Sequence, residues 1–262
     1  MRARFRLLPA SLFVIAILGA TSALASALWG NSGVRVSPIN VATGAPGPIV
    51  SFAGASTIGF SDLAGEARSQ GPLLWGVSDF GANRRLQALN PATMAAQVPV
   101  TISGPEPIQS LAIDPLTGDF YGGSATSLYR IALDTGIATS VGVTPLPVAK
   151  ALAFDSAGSL YGIANENQLV AVNKSTGQTS LVSTLNIFRM EDIAVQPESG
   201  IMYGIGYGPN YSLYQIDLST GALVNLGPST TRPSGLAFTA VPEPATLALS
   251  ALALGACLRR RR

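Results

Sequence analysis

The sequence has no histidine, and its single cysteine, Cys257, lies close to the C-terminal end. Without histidine there is no imidazole base for a nucleophile triad. Without a second cysteine the chain forms no internal disulfide and no thiolate cage, so the usual zinc donors are missing as well. Charge is also scarce: 11% of the 262 residues are charged, against 47% that are hydrophobic. The formal net charge of +2 misleads, because Arg2, Arg4, Arg6 and Arg259 to Arg262 sit at the two ends. With the tail segment from Val241 onward, which holds Glu243, also set aside, the stretch between them keeps 9 basic and 13 acidic residues, a net charge of about −4. No basic patch is interleaved with aromatics, so nucleic acid is not an expected partner. The closely spaced glycines of Tyr203–Gly208 precede no helix pattern, and no phosphate-binding loop stands out. No cofactor is expected.

What the chain does have is 28 glycines and 18 prolines spread between short apolar runs, the composition of a β-rich protein with many turns. Three short patterns recur in fixed order. An apolar inner-strand pattern reads Ile58-Gly59-Phe60, Leu111-Ala112-Ile113-Asp114, Leu152-Ala153-Phe154-Asp155, Ile193-Ala194-Val195-Gln196 and Leu236-Ala237-Phe238-Thr239. An aromatic-glycine pattern follows at Trp29-Gly30, Trp75-Gly76, Tyr121-Gly122, Tyr161-Gly162 and Tyr203-Gly204. A turn pattern falls at Thr43-Gly44, Thr93-Met94, Thr135-Gly136, Thr176-Gly177 and Thr220-Gly221, with Met94 in place of the glycine. The inner-strand starts are 53, 41, 41 and 43 residues apart.

Four short strands every forty-odd residues are the signature of a propeller blade. The first unit begins at Leu28-Trp29-Gly30 without an inner strand, and the last supplies only an inner strand at Leu236–Phe238. Joined, they complete one blade and close a ring. The expectation is an all-β, five-bladed β-propeller of about 41–50-residue repeats over residues 28–240, flanked by an N-terminal signal helix and a C-terminal hydrophobic helix. The Asp62–Pro72 segment reads as a loop longer than its counterparts. The repeat resembles the broad propeller class with L-A-F-D, L-Y-G, L-Y-x-I-D and T-G repeats found in many exported bacterial proteins, a likeness that implies fold and no activity.

Residues 1–27 run from basic (Met1–Arg6) through an apolar core (Leu7–Ala20) to small residues, with A-x-A sites ending at Ala25 and Ala27. This is the order of a Sec-type signal peptide removed by signal peptidase; an uncleaved anchor is the alternative. No cysteine follows the apolar core, which excludes a lipoprotein. Residues 241–262 hold Val241-Pro242-Glu243-Pro244, then 14 residues from Ala245 to Leu258, mostly apolar, then Arg259, Arg260, Arg261 and Arg262. Fourteen residues make a helix of about 21 Å, short of the roughly 20 residues a stable span needs. The arginines favour the cytoplasmic side. The combination resembles the PEP-CTERM sorting signal. That resemblance implies recognition by an exosortase, a membrane-embedded transpeptidase-like enzyme. It further implies transient inner-membrane insertion and display or release at the surface of a Gram-negative bacterium, in association with exopolysaccharide and biofilm.

Candidate chemistry within the body is thin. Asp114 and Asp155 follow inner strands, with Asp62 in a similar place, and acids there could bind a metal or act as acid and base. The plainer reading is that each opens a turn by bonding the backbone two residues on. The series breaks at Gln196 and Thr239, so no carboxylate ring forms. Asn40, Asp134, Asn173 and Asp217 read as turn residues. The recurring aromatics Trp29, Trp75, Tyr121, Tyr161 and Tyr203 read as packing between blades. Irregular aromatics are the better ligand candidates: Phe80 in the loop Asp79–Arg84, and Tyr207 and Tyr211 in the loop Tyr207–Tyr211. Lys150 and Lys174 sit in no recognisable Ser-Lys motif, and a calcium site from Asp and carbonyl oxygens stays open. Two functions follow: a non-catalytic surface propeller that binds polysaccharide or another surface component, or a lactonase-like or glycan-active hydrolase using axial Asp residues and a metal.

Overall fold

A computed structural model describes residues 26–55, 59–68, 71–80, 83–207, 211–229 and 233–240. The two flanking helices, Ala25, and the tail residues Val241, Pro242, Glu243, Pro244 and Arg259 to Arg262 lie outside them. Among the described residues every regular element is a strand, and the strands form five sheets.

The first blade joins the two ends of the body: β1 (Ser26–Ser32), β2 (Arg35–Ile39) and β20 (Gly235–Ala240), in the order β2-β1-β20. The second holds β3 (Asp62–Arg68), β4 (Gly71–Phe80), β5 (Asn83–Asn90) and β6 (Ala95–Ala96), with β7 (Val100–Thr101) also on β5. The third runs β8 (Ser110–Ile113), β9 (Phe120–Gly123), β10 (Ser127–Ile131) and β11 (Ala138–Val143). The fourth runs β12 (Ala151–Phe154), β13 (Leu160–Ala164), β14 (Gln168–Val172) and β15 (Thr179–Thr184). The fifth runs β16 (Arg189–Val195), β17 (Met202–Tyr207), β18 (Tyr211–Ile216) and β19 (Leu223–Pro228).

The inner strands β20, β3, β8, β12 and β16 each touch the next, and β16 returns to β20. The molecule is a closed five-bladed propeller. Closure is made by β1 pairing antiparallel with β20, from Ser26 opposite Ala240 to Asn31 opposite Gly235. Trp29 Nε1 adds a hydrogen bond to Thr239 Oγ1 at 3.0 Å across that pair. Ala27, an expected cleavage position, is therefore a strand residue paired with Thr239.

The second blade corrects the sequence reading. Gly59 and Phe60 form no strand; the inner strand is β3, inside the segment read as a loop. Phe60 instead fills the space beside Gly76, where a Cβ would stand 2.3 Å from its ring. Ile108 and Met190 do the same beside Gly122 and Gly204, and this explains why glycine follows each of those aromatics. The inner-strand signal itself is Leu63-Ala64, aligned with Leu111-Ala112, and the start intervals become 48, 41, 41 and 43 residues.

The recurring aromatics do pack between blades. Trp75 meets Phe120 of the third blade at 5.0 Å, Tyr121 meets Phe154 of the fourth at 5.5 Å, and Tyr203 meets Phe238 of the first at 5.6 Å. The first two pairs are edge-to-face and the third is tilted, and such contacts add to the burial of ring surface that holds neighbouring sheets together. The outer strands β11, β15 and β19 each carry one extra residue opposite the third strand, so each edge is bulged at the same place. Bulges of this kind discourage edge-to-edge pairing.

The turns behave as their composition implies. Asn40, Asn90, Asn173 and Asp217 each accept a hydrogen bond from the backbone N–H two residues on, at 2.8 to 2.9 Å. In the third blade Ala132 takes that place, so Asp134 lies inside the turn. The closing residue has positive φ in every blade: Gly44 (68°), Gly136 (71°), Gly177 (75°), Gly221 (72°) and Met94 (54°). A side chain in this region costs about 1–2 kcal/mol relative to glycine. Met94→Gly is expected to stabilise the protein by roughly 1 kcal/mol, seen as a higher urea midpoint at unchanged slope.

Candidate functional site

The inner strands enclose an axial cavity of about 410 Å³. Its blind end is formed by Leu63, Leu111, Leu152, Ile193 and Leu236, one from each blade. The mouth lies at the other ends of these strands and carries Glu66, Asp114 and Asp155. All three have partners. Glu66 Oε2 accepts from Trp75 Nε1 at 2.6 Å. Asp155 Oδ1 accepts the N–H groups of Ala157 and Ser159 at 3.0 and 2.8 Å, the turn role expected of it.

Asp114 does more than open a turn. Its Oδ1 accepts the Leu116 N–H at 2.9 Å, while Oδ2 pairs with Lys174 Nζ at 2.6 Å; the ammonium also lies 5.6 Å from the centre of the Phe154 ring. Burial pushes the Asp114 carboxyl up, but Lys174 and the backbone bonds outweigh it and hold it below the usual carboxylate range. A carboxyl lowered in this way contributes stability above its unfolded pKa of about 4 and loses it as pH falls through the folded value. Lys174 is one-third exposed, so solvent screening limits the pair. Lys174→Met is expected to cost about 1 kcal/mol at pH 7, and thermal melts should show the deficit vanishing once Asp114 is protonated at low pH.

Asp62 stands elsewhere than its sequence neighbours suggested. It opens its inner strand, one residue before Leu63, and Asp192 precedes Ile193 in the same register. Both are fully buried beyond the blind end of the cavity, at 0% and 1% exposure. The other blades place Ser110, Ala151 and Gly235 at this position. Gly235 separates the two acid-bearing blades; a Cβ there would stand 2.6 Å from Leu63 N. With small residues at the other three positions, the two carboxyls come close enough for each to shift the other's proton affinity.

Each acid also ties its blade to the next. Asp62 accepts the N–H of its own Leu63 at 2.6 Å and of Leu111 in the third blade at 2.7 Å. Asp192 Oδ2 accepts the N–H of Leu236 in the first blade, and Ser110 Oγ donates to Val148 O of the fourth at 2.6 Å. Among the described residues no donor reaches Asp192 Oδ1, and a hydrogen bond between the two carboxyls needs a proton on one of them. Burial raises both acids, Asp62 to about 8, and the charge of Asp62 raises Asp192 further. The sequence reading passed over Asp192. Its signal is short but present: an acid directly before the strand pair, in Asp62-Leu63-Ala64 and again in Asp192-Ile193-Ala194.

The aromatic candidates lie near the strand ends opposite the cavity mouth. Tyr207 and Tyr211 are not loop residues; they end β17 and begin β18, directly paired across the hairpin with rings 5.1 Å apart. Phe80 ends β4 on a different blade, paired with Asn83, so the backbone does not bring it to the two tyrosines. Phe188, which the sequence reading missed, joins them with its ring 6.1 Å from that of Tyr207. Lys150 belongs to an ion-pair cluster with Glu166 and Glu191 rather than to a serine partner.

Residues 240–262 match the PEP-CTERM protein-sorting motif. The chain carries a PEP-CTERM sorting signal. The signal implies export and exosortase-directed sorting to the bacterial cell surface. It begins on Ala240, the last residue of ring-closing β20, so no linker separates the PEP-CTERM signal from the propeller. No curated protein matches the sequence. Among solved structures, the chain is similar to one in a nidogen/laminin complex at 10% identity, covering 82% of this chain and 98% of that one with a TM-score of 0.53. A structural-genomics protein of unknown function from Bacteroides thetaiotaomicron is similar at 13% identity, covering 75% of this chain and 56% of that one with a TM-score of 0.54. At these identities the likeness is one of fold.

Proposed function

We propose that the propeller is a non-catalytic binding or structural module, delivered by signal peptidase and exosortase to the surface or extracellular matrix of a Gram-negative bacterium, in association with exopolysaccharide. The observation that carries this reading is the state of the axis. The carboxyls at the cavity mouth are held by Trp75, Lys174 and backbone N–H groups. A hydrolase reading rests on Asp62 and Asp192, since two carboxyls sharing a proton are a familiar acid–base pair. Here, however, the cavity stops at Leu63 and Ile193, one residue short of both. A substrate entering from the mouth would reach the strand segments at Leu63 and Ile193 before either acid.

The test is fractionation of cells producing the full chain, beside cells producing a version ending at Ala240. The reading expects the full chain to co-purify with the exopolysaccharide and the shortened chain to be found in the medium without retention in the envelope. Equal distribution of the two would refute a sorting role for the tail. Recovery of the full chain free of polysaccharide would refute the association.

A further inference from the structure

Phe188 is 76% exposed, yet the backbone around it is pinned. Asn167 Nδ2 donates to the carbonyls of Leu185 and Ile187, each at 3.3 Å, and Asn167 O accepts the Leu185 N–H at 2.8 Å. On the other side Met190 N donates to Glu166 O at 2.7 Å. A large apolar side chain is thus held out into solvent by a fixed scaffold. Phe188, Tyr207 and Tyr211 form a row with ring spacings of 6.1 and 5.1 Å, and Tyr207 is itself 41% exposed.

Beside the row stands a set of four charges. Arg189, in register with Tyr207, pairs with Glu191 and lies 3.5 Å from Glu166; Lys150 lies 3.7 Å from Glu166 and 3.6 Å from Glu191. Glu166 is held at φ 70° in the β13–β14 turn, next to Asn165 at φ 45°. Positive φ is uncommon for any residue other than glycine. A long acidic side chain held there against that backbone preference places its carboxylate between the two cations.

We propose that this aromatic row with its charged margin is the carbohydrate-binding surface of the propeller, taking two or three consecutive pyranose units of an uncharged polysaccharide. The proposal rests on the polysaccharide-associated reading above and names its site. Aromatic faces stack on the C–H faces of pyranose rings, and the planar guanidinium and carboxylates present donors and acceptors to ring hydroxyls. Two cations and two anions offset each other, so the margin favours an uncharged chain over a polyanion. The exit of the sorting tail fits the same occupant. The starts of β16 and β20 are adjacent, since Asp192 accepts from Leu236 N, and β20 then runs to Ala240 at the opposite end of the axis. The aromatic row therefore stands at the end of the axis opposite Ala240, where the sorting signal begins.

The test is affinity electrophoresis of the exported protein through gels containing dextran, or the neutral or acidic fraction of the exopolysaccharide from the producing cells. The neutral fraction should retard the wild type, and Phe188→Ala and Tyr207→Ala should each weaken retardation roughly tenfold. Val98→Ala, at another exposed apolar residue, should leave it unchanged. Phe188→Ala removes a side chain with little packing, so its thermal midpoint should match the wild type and separate binding from folding. Retardation of both aromatic variants equal to the wild type overturns the site while the polysaccharide reading stands. Retardation by the acidic fraction alone overturns the assignment of an uncharged ligand. If no polysaccharide retards the wild type, the site and the reading both fall.

Discussion

Asp192→Asn is expected to raise the thermal midpoint at pH 8 and to reduce its fall between pH 5 and pH 8. The direction follows from the shared proton. Asp62 is raised to about 8 and Asp192 is raised with it, chiefly because both are sealed from water. The unfolded chain releases these protons near pH 4. Between about pH 4 and pH 8 the folded protein therefore holds more protons than the unfolded chain, and stability falls as pH rises. Each such proton gives a slope of up to about 1.4 kcal/mol per pH unit. An asparagine at position 192 donates permanently from Nδ2 to Asp62 and still accepts the Leu236 N–H through Oδ1. It removes one titrating group and the like charge beside Asp62. The double variant Asp62→Asn with Asp192→Asn should be flatter still. Midpoints from calorimetry across pH 5 to 8 decide the matter. A wild type that gains stability over this range, or an Asp192→Asn variant that follows it in parallel, would contradict a shared proton at the axis.

The second large effect belongs to the seam between the first and second blades. Gly65, in β3, lies against β20 so closely that a Cβ would stand 1.7 Å from Phe238 O. No rotamer relieves that contact, because both partners are backbone of inner strands. Gly65→Ala must push β3 away from β20, the strand that closes the ring. A loss of about 3 kcal/mol or more is expected in urea unfolding, larger than that of a typical surface substitution. Unchanged stability would mean that the two strands do not meet at this distance.

Gly65 also shows why part of the fold was hidden in the sequence. The T-G turns, the aromatic-glycine pairs and the split first blade were all legible, because each reflects a constraint that recurs in nearly every blade. The second blade departs from the pattern at the residue where closure demands glycine. Leu63-Ala64-Gly65-Glu66 lacks the apolar third residue of its counterparts and the terminal Asp of two of them, and the nearby Phe60 imitates them. Asp62 and Asp192 were hidden for a different reason. They stand 130 residues apart, and their register partners are Ser110, Ala151 and Gly235, so the repeat leaves only the acid before the strand pair in two of five units as a signal. The tyrosines were visible as irregular aromatics, whereas Phe188 gains meaning only when Asn167 fixes the loop beneath it.

The termini carry the most direct test of the account as a whole. Ser26 and Ala240 are partners in the closing pair, Ser26 Oγ also donates to Glu198 Oε2 at 2.7 Å, and the sorting signal starts where that pair ends. Cleavage after Ala25 preserves the whole of β1, whereas cleavage after Ala27 would remove its first two residues. The intact mass of the mature protein from its native host, with its N-terminal sequence, settles both ends at once. The account predicts a chain that begins at Ser26 and lacks Arg259 to Arg262. A mature chain that keeps those four arginines, or begins beyond Leu28, would contradict it.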